Sequence, residues 1–245
     1  MAATRILFDH IAIAMPRLAD AATFLVGELG GAPDHGAPSG AYRFWQWRFQ
    51  GGGRIEVLEP MGEDGFLHRF LVQRGPGIHH VTFKVPSVRE ACDRAQAHGY
   101  RIVGYDDSDP RWVEAFLHPK QALGIVVQFA ESRSSSGGRS RRPPPPGPEN
   151  PPPAVTVLGL RSRARSRERA QTQWGLIVQG ECTADASDEL VFRWPGSPMH
   201  LAVEIDPERD EGPISIELAT DRSIALPGRR HPVLGAVFAP RPHPS

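Results

Sequence analysis

His10, Glu56, His80 and Gln128 are the residues whose types and spacing could do chemistry. Each interrupts an apolar, strand-like run: HIAIAMP, GRIEVLEP, HHVTFKVP and GIVVQFAE. A polar side chain on the inner face of a half-buried strand costs free energy unless it is paired. Imidazole nitrogens with carboxylate or amide oxygens form a donor set for Zn, Fe, Ni, Co or Mn. Any one of the four alone reads as a satisfied core or rim residue. Together they fall in register with an internal repeat. DHIAIAMPRLADA, from Asp9, matches HHVTFKVPSVREA, from His79, at an offset of 70 residues. His10 aligns with His80, Pro16 with Pro86, Leu18 with Val88 and Ala21 with Ala91. The acid and the amide follow their histidines by 46 and 48 residues. Two slots per copy thus point to one divalent ion, of Co, Ni, Mn, Zn or Fe, held by all four side chains. His79 is the poorer candidate, because His80 aligns with His10.

The elements that must position these residues recur in each copy. A strand comes first, and its alternation puts His10 on a face with Phe8 and Ala12, and His80 on a face with Ile78 and Thr82. A helix follows. In the first copy Leu18, Ala21, Ala22, Leu25 and Leu29 make one apolar face that Gly30 and Gly31 can end. In the second, Ser87 and Glu90 form a capping box ahead of Val88, Ala91, Cys92 and Ala95, with Gly99 as the stop. Each copy closes with a hairpin: Tyr42–Phe49 with Arg54–Pro60, and Glu114–Pro119 with Ile125–Glu131. The plan is β-α-β-β-β twice, over 6–60 and 76–131, with FLHRFL (Phe66–Leu71) as a helical joint. The aromatic stripe Tyr42, Phe44, Trp45, Trp47 and Phe49 has two readings, lining for a substrate or packing of the hairpin, and packing is favoured.

Composition shifts near residue 132. Residues 132–153, SRSSSGGRSRRPPPPGPENPPP, have no apolar periodicity and read as a disordered or semi-rigid linker. It separates region 1–131 from region 154–245. The latter looks like a worn copy of the same plan: VTVLGLRSRA as a strand, RERAQTQWGLIV as a helix burying Ala170, Trp174 and Ile177, ELVFRWP and MHLAVEIDP as a hairpin, then GPISIELA and PVLGAVFA. Its ligand slots fall near Gly159, Ala202 and Ile214, none of which binds metal, so a structural or lid-like role is expected. Arg161, Arg163, Arg165, Arg167 and Arg169 form a basic run, with Arg139, Arg141 and Arg142 nearby. A solvated arginine face is the better reading than a nucleic-acid surface.

The bulk numbers exclude more than they select. Lys+Arg and Asp+Glu both total 28, so net charge offers no nucleic-acid or acidic partner. No apolar run approaches the roughly 18 to 20 residues of a membrane span. MAATRILFDH lacks an apolar signal core, and a cytoplasmic protein is expected. Cys92 and Cys182 show no disulfide or zinc spacing. Lysine is confined to Lys84 and Lys120.

The segments HIAIAMP, GRIEVLEP, GPGIHHVTFKVP and FLHPKQALGIVVQF resemble, in this order, the vicinal-oxygen-chelate (VOC; glyoxalase/bleomycin resistance/dioxygenase) superfamily, most of all its methylmalonyl-CoA epimerase-like members. The resemblance covers about residues 6–131. It implies an α+β fold of paired βαβββ modules forming a metal-binding cup, here followed by a degenerate VOC-like C-terminal half. By position it implies His10, Glu56, His80 and Gln128 as the metal ligands. It also implies an isomerase or lyase acting next to a carbonyl through an enolate-type intermediate, epimerase-like or glyoxalase-like. Its substrate would be a small carbonyl compound or an acyl-CoA. Glu56 becomes the candidate base. His118 and Lys120 become candidate contacts for an anionic tail such as a CoA phosphate, although FLHPK also reads as a turn built on Pro119. A homodimer is compatible with the family, and no membrane or nucleic acid is expected.

Two departures bear on the reaction. The family's last slot is usually Glu, which moves a proton; Gln128 can ligate but cannot act as a base. The stretch Gly36–Tyr42, where epimerases carry a second acid, has none. Two other functions therefore stay open. One is an Fe(II)-dependent ring-cleaving dioxygenase, whose facial triad takes two His and one carboxylate, although family dioxygenases place that carboxylate in the slot of Gln128. The other is a non-catalytic small-molecule-binding protein.

Overall fold

The computed structural model describes residues 5–133 and 145–242. The first copy of the repeat supplies β1 (Leu7–Ala14), a 3-10 turn (Leu18–Ala21), α1 (Ala22–Leu25), β2 (Ala32–Ser39), β3 (Tyr42–Arg48) and β4 (Arg54–Pro60). After α2 (Phe66–Arg74) the second copy supplies β5 (Gly77–Lys84), α3 (Val88–Ala97), β6 (Ile102–Asp109), β7 (Trp112–Leu117) and β8 (Val126–Ser132). Their eight strands form one sheet in the order β2-β3-β4-β1-β5-β8-β7-β6. In each module the first and last strands pair in parallel and the rest form antiparallel hairpins.

The edges of this sheet are kept from further pairing by their sequences. Pro33 and Pro38 lie in β2, and Asp106, Asp107 and Asp109 lie in the largely exposed β6. Proline and charge are what an open edge tolerates.

The helices start alike. The Glu59 carboxylate accepts from the backbone N–H of Leu18 at 2.7 Å, and that of Glu131 accepts from Val88 N–H at 3.1 Å. Each acid lies three residues beyond its module's slot residue and satisfies a donor that a helix start leaves open. The Ser87 cap on Glu90 is present as expected. The first helix is less regular than its apolar face suggests. Only Ala22–Leu25 is α-helical, and the chain then turns through mixed bonds such as Leu29 N–H to Phe24 O. Gly27 and the β-branched Thr23 and Val26 weaken this stretch, yet Leu18, Ala21, Ala22, Leu25 and Leu29 are all buried.

Beyond the second module, β9 (Thr156–Ala164), α4 (Arg167–Ala170), a π-helical segment (Gln171–Ile177), β10 (Glu181–Asp185), β11 (Glu189–Arg193) and β12 (His200–Ile205) complete a third βαβββ module. β13 (Gly212–Ala219) and β14 (Phe238–Pro240) are the remnant of a fourth. Their sheet runs β10-β11-β12-β9-β13-β14 and repeats the parallel pairing, β9 with β12 and β13 with β14. Ala170, Trp174 and Ile177 are buried, as the helix pattern requires. The fold class is therefore α+β, built of paired βαβββ modules with a degenerate C-terminal half.

Contacts divide the chain into two compact units, one of Met1–Asp9, His80–Gly137 and Gly159–Ile214, the other of His10–His79, Gly138–Leu158 and Ser215–Ser245. Each unit draws on both sides of the Pro-rich stretch. In the first, Phe8 stacks on Phe83 with centroids 5.0 Å apart, and Trp194 packs on Phe83 at 4.7 Å. The five arginines of the basic run lie in this unit, and each has an acidic partner: Arg161 with Glu189, Arg163 with Glu204, Arg165 with Asp210, Arg167 with Asp185 and Arg169 with Glu211. The run is thereby neutralised locally; Arg139, Arg141 and Arg142 lie outside the described residues.

In the second unit, the described part of the Pro-rich stretch is extended and tied down. Val155 N–H bonds to Leu29 O, Gln50 N–H to Val155 O, and the Arg222 guanidinium donates to Pro153 O. Residues 134–144 of that stretch lie outside the described residues. No helix among the described residues is long and apolar enough to cross a membrane.

Candidate metal centre

β-strand register decides which side chains meet. On β4, Glu56 stands opposite Ala12 of β1 and opposite Gln46 of β3. His10 lies two residues before Ala12 and so shares its face. In the second module Gln128 of β8 stands opposite Thr82 of β5, and His80 lies two residues before Thr82. The two modules therefore place histidine and slot residue identically, relative to the parallel pair that carries them.

His10, Glu56 and His80 are all buried. His10 Nε2 lies 3.5 Å from Glu56 Oε1. The other carboxylate oxygen is engaged: Gln46 donates from Nε2 to Glu56 Oε2 at 2.7 Å, and the same nitrogen lies 3.4 Å from His10 Nδ1. Gln46 thus fixes the rotation of the Glu56 carboxylate and leaves Oε1 beside the imidazole. Imidazole nitrogen and carboxylate oxygen, buried side by side, are donors that suit a divalent transition-metal ion.

Gln128, the fourth expected ligand, is also buried. Its Nε2 donates to Glu114 Oε2 at 2.8 Å, and its Oε1 accepts from Thr82 Oγ1 at 2.6 Å. The Trp112 indole N–H donates to the same Glu114 oxygen at 2.8 Å. A carboxylate only accepts, so the amide nitrogen must face Glu114 and the amide oxygen must face Thr82.

His79 points elsewhere along its strand. Its ring packs on Phe70 and Phe66, with centroids 4.9 and 5.6 Å away. Burial pushes its pKa down to about 4, so it is neutral at ordinary pH. His118 and Lys120 are exposed. His118 Nδ1 accepts from Lys120 N–H at 3.2 Å, which braces the turn that Pro119 begins. Of the aromatic stripe, Trp45, Trp47 and Phe49 are buried, while Tyr42 and Phe44 pack against Ala12, Ala14, Leu58 and the α2 residue Leu67.

Gln46 and Glu114 were missed from sequence. Alternation alone puts Gln46 on the face of Phe44, and Glu114 on that of Trp112 and Phe116, but nothing in the chain names their partners. Cross-strand register was the absent information.

Among its described residues the C-terminal half has no group of three His, Cys, Asp or Glu placed to hold a metal. Register aligns Gly159 with the place of His10 and Ala202 with that of Glu56, since Arg161 stands opposite Ala202. A side chain at Gly159, φ +148°, would overlap the His200 carbonyl. In the remnant module, Ile216 opposite Phe238 puts Ile214 and Phe238 in the remaining slots. All four places lack a ligand.

This fold, with a buried histidine and slot residue set on the parallel strand pair of each module, defines a class. Residues 9–115 match the Glyoxalase/Bleomycin resistance protein/Dioxygenase superfamily. The chain is 33% identical over 138 residues to an ethylmalonyl-CoA/methylmalonyl-CoA epimerase of Cereibacter sphaeroides, covering 50% of this chain and 96% of that protein. It is 30% identical over 131 residues to the uncharacterized protein YqjC of Bacillus subtilis, 51% of this chain and 91% of the relative. The chain belongs to the glyoxalase/bleomycin resistance/dioxygenase superfamily, and its relatives include methylmalonyl-CoA epimerases. A hypothetical protein from Staphylococcus aureus shares the fold across 97% of this chain and 99% of its own, with a TM-score of 0.63 at 9% identity.

Proposed function

We propose that this protein is a metal-dependent isomerase or lyase that moves a proton next to a carbonyl, with an acyl-CoA or other small carbonyl compound as substrate. The observation that carries the reading is the buried pair His10–Glu56, with Nε2 3.5 Å from Oε1, repeated at equivalent register by buried His80 and Gln128 in the second module. Epimerase relatives that align over half the chain support it. His10, Glu56 and His80, with Gln128 as the fourth, would hold one divalent ion. When bound, such an ion stabilises negative charge developing on a substrate oxygen. Glu56 is the acid of that pair and the group assigned to proton transfer, with Gln46 holding its Oε2. His118 and Lys120, exposed on the β7–β8 connection, are assigned to an anionic tail.

The test is α-proton exchange of methylmalonyl-CoA in deuterated water, by protein loaded in turn with Co, Ni, Mn, Zn and Fe(II). Exchange that needs a loaded metal supports the reading. Silence with every metal, while metal is bound, removes it.

The donor types also favour a second reading, since two histidines and one carboxylate are the composition of an Fe(II) facial triad. Oxygen uptake by the Fe(II)-loaded protein with catechol-type substrates, without α-proton exchange, would establish that reading instead.

A further inference from the structure

Each module holds its slot residue from the neighbouring hairpin strand by one amide-to-carboxylate hydrogen bond. In the first module the amide is Gln46 on β3 and the carboxylate is Glu56 on β4. In the second the chemistry is exchanged between strands: the carboxylate is Glu114 on β7 and the amide is Gln128 on β8. The bonds are 2.7 and 2.8 Å long, and each leaves one oxygen of the slot residue turned away from the holding strand. For Glu56 that oxygen is Oε1, beside His10 Nε2. For Gln128 it is Oε1, turned toward the strand that carries His80.

We infer that Glu114 is a positioning residue for metal binding: it locks the Gln128 amide so that its oxygen, and not its nitrogen, is presented as the fourth ligand. The inference rests on the metal-site reading above. An unlocked glutamine has two orientations of nearly equal shape, and in one of them an N–H would face the ion and repel it. Thr82 cannot choose between them, because a hydroxyl both donates and accepts. Glu114 can, because its Oε2 already accepts from the Trp112 indole N–H and takes the amide N–H as a second donor. The Trp112 indole fixes Glu114 in turn, through a second bond to the same oxygen. Gln128 Oε1 keeps a lone pair beyond the one that Thr82 uses. Partners of this kind change metal affinity about 10- to 100-fold when removed from known sites.

The test measures Zn and Ni dissociation constants by chelator competition on the full chain. The proteins are wild type, Glu114→Gln, Gln128→Ala and the double variant, each checked for folding by circular dichroism. Glu114→Gln keeps the shape but restores both amide orientations, so affinity should fall about 10- to 100-fold. In the Gln128→Ala background the same change should have no further effect, because Glu114 acts through Gln128. Glu114→Asp keeps an accepting carboxylate and should show a smaller loss than Glu114→Gln. Additive losses would show that Glu114 acts independently of Gln128 and would overturn the inference. So would an unchanged affinity in folded Glu114→Gln, or in Gln128→Ala, with the three-residue site left standing. A wild type that binds neither metal would overturn the inference and the metal-site reading together.

Discussion

Gln46 and Glu56 face each other across the β3–β4 hairpin, joined by a 2.7 Å bond from the amide N–H to the buried carboxylate. The bond fixes one carboxylate oxygen and leaves the other beside His10. Gln46→Leu keeps the bulk and removes the donor. Metal affinity should fall about 10- to 100-fold, the usual cost of losing such a support. Chelator competition on purified protein checks this, and wild-type affinity in a folded variant would leave Gln46 without this role.

One four-ligand set should take up about one divalent ion per chain. Elemental analysis after metal loading and desalting gives the ratio. His10→Ala combined with His80→Ala should reduce it to background. At free metal of about 100 times Kd, wild-type stability should rise by about 2.7 kcal/mol by mass action, and the double variant should show no rise. A melting temperature that climbs equally with metal in both proteins would place binding elsewhere.

Gln128→Glu should add α-proton exchange activity toward methylmalonyl-CoA. An amide in this slot can ligate but cannot carry a proton, and a general base typically contributes about 10²- to 10⁴-fold in rate. The substitution also sets a carboxylate against Glu114, 2.8 Å from the present amide nitrogen. The gain should therefore be larger in the Glu114→Gln background, where that repulsion is absent. Equal exchange by all three proteins would show that position 128 takes no part in proton transfer.

Phe83 and Trp194 pack with centroids 4.7 Å apart, and both are buried. Trp194→Ala should cost about 3 to 5 kcal/mol, the range for removing a large buried aromatic. A fragment ending at residue 133 loses Trp174 and Trp194 together, and it should unfold with lower cooperativity than the full chain in urea. A fragment as stable as the whole would make 1–131 an independent domain.

The two thiols should differ in reactivity. Cys182 is exposed, while Cys92 is buried, and burial pushes the Cys92 pKa up to about 11. Since the thiolate is the nucleophile, a disulfide reagent at pH 8 should titrate one thiol quickly and the second only on unfolding. Two fast thiols would show that α3 opens readily.

The sequence by itself determined the modular plan and the four slots. The reason is local: strand alternation and helix periodicity are written in neighbouring residues, and a repeat at a fixed offset transfers the reading of one copy to the other. His10, Glu56, His80 and Gln128 could therefore be placed without a contact map, as could the empty slots at Gly159, Ala202 and Ile214. Tertiary structure decided what holds the slot residues. Gln46 meets Glu56 and Glu114 meets Gln128 only through hairpin register, and the two hairpins differ in the length of their connections. The same holds for Glu59 and Glu131, which reach helix starts 41 and 43 residues away in sequence. It holds too for the five arginines, whose partners lie 18 to 45 residues distant. Periodicity tells a side chain which way to face, and only the pairing of strands tells it whom it meets.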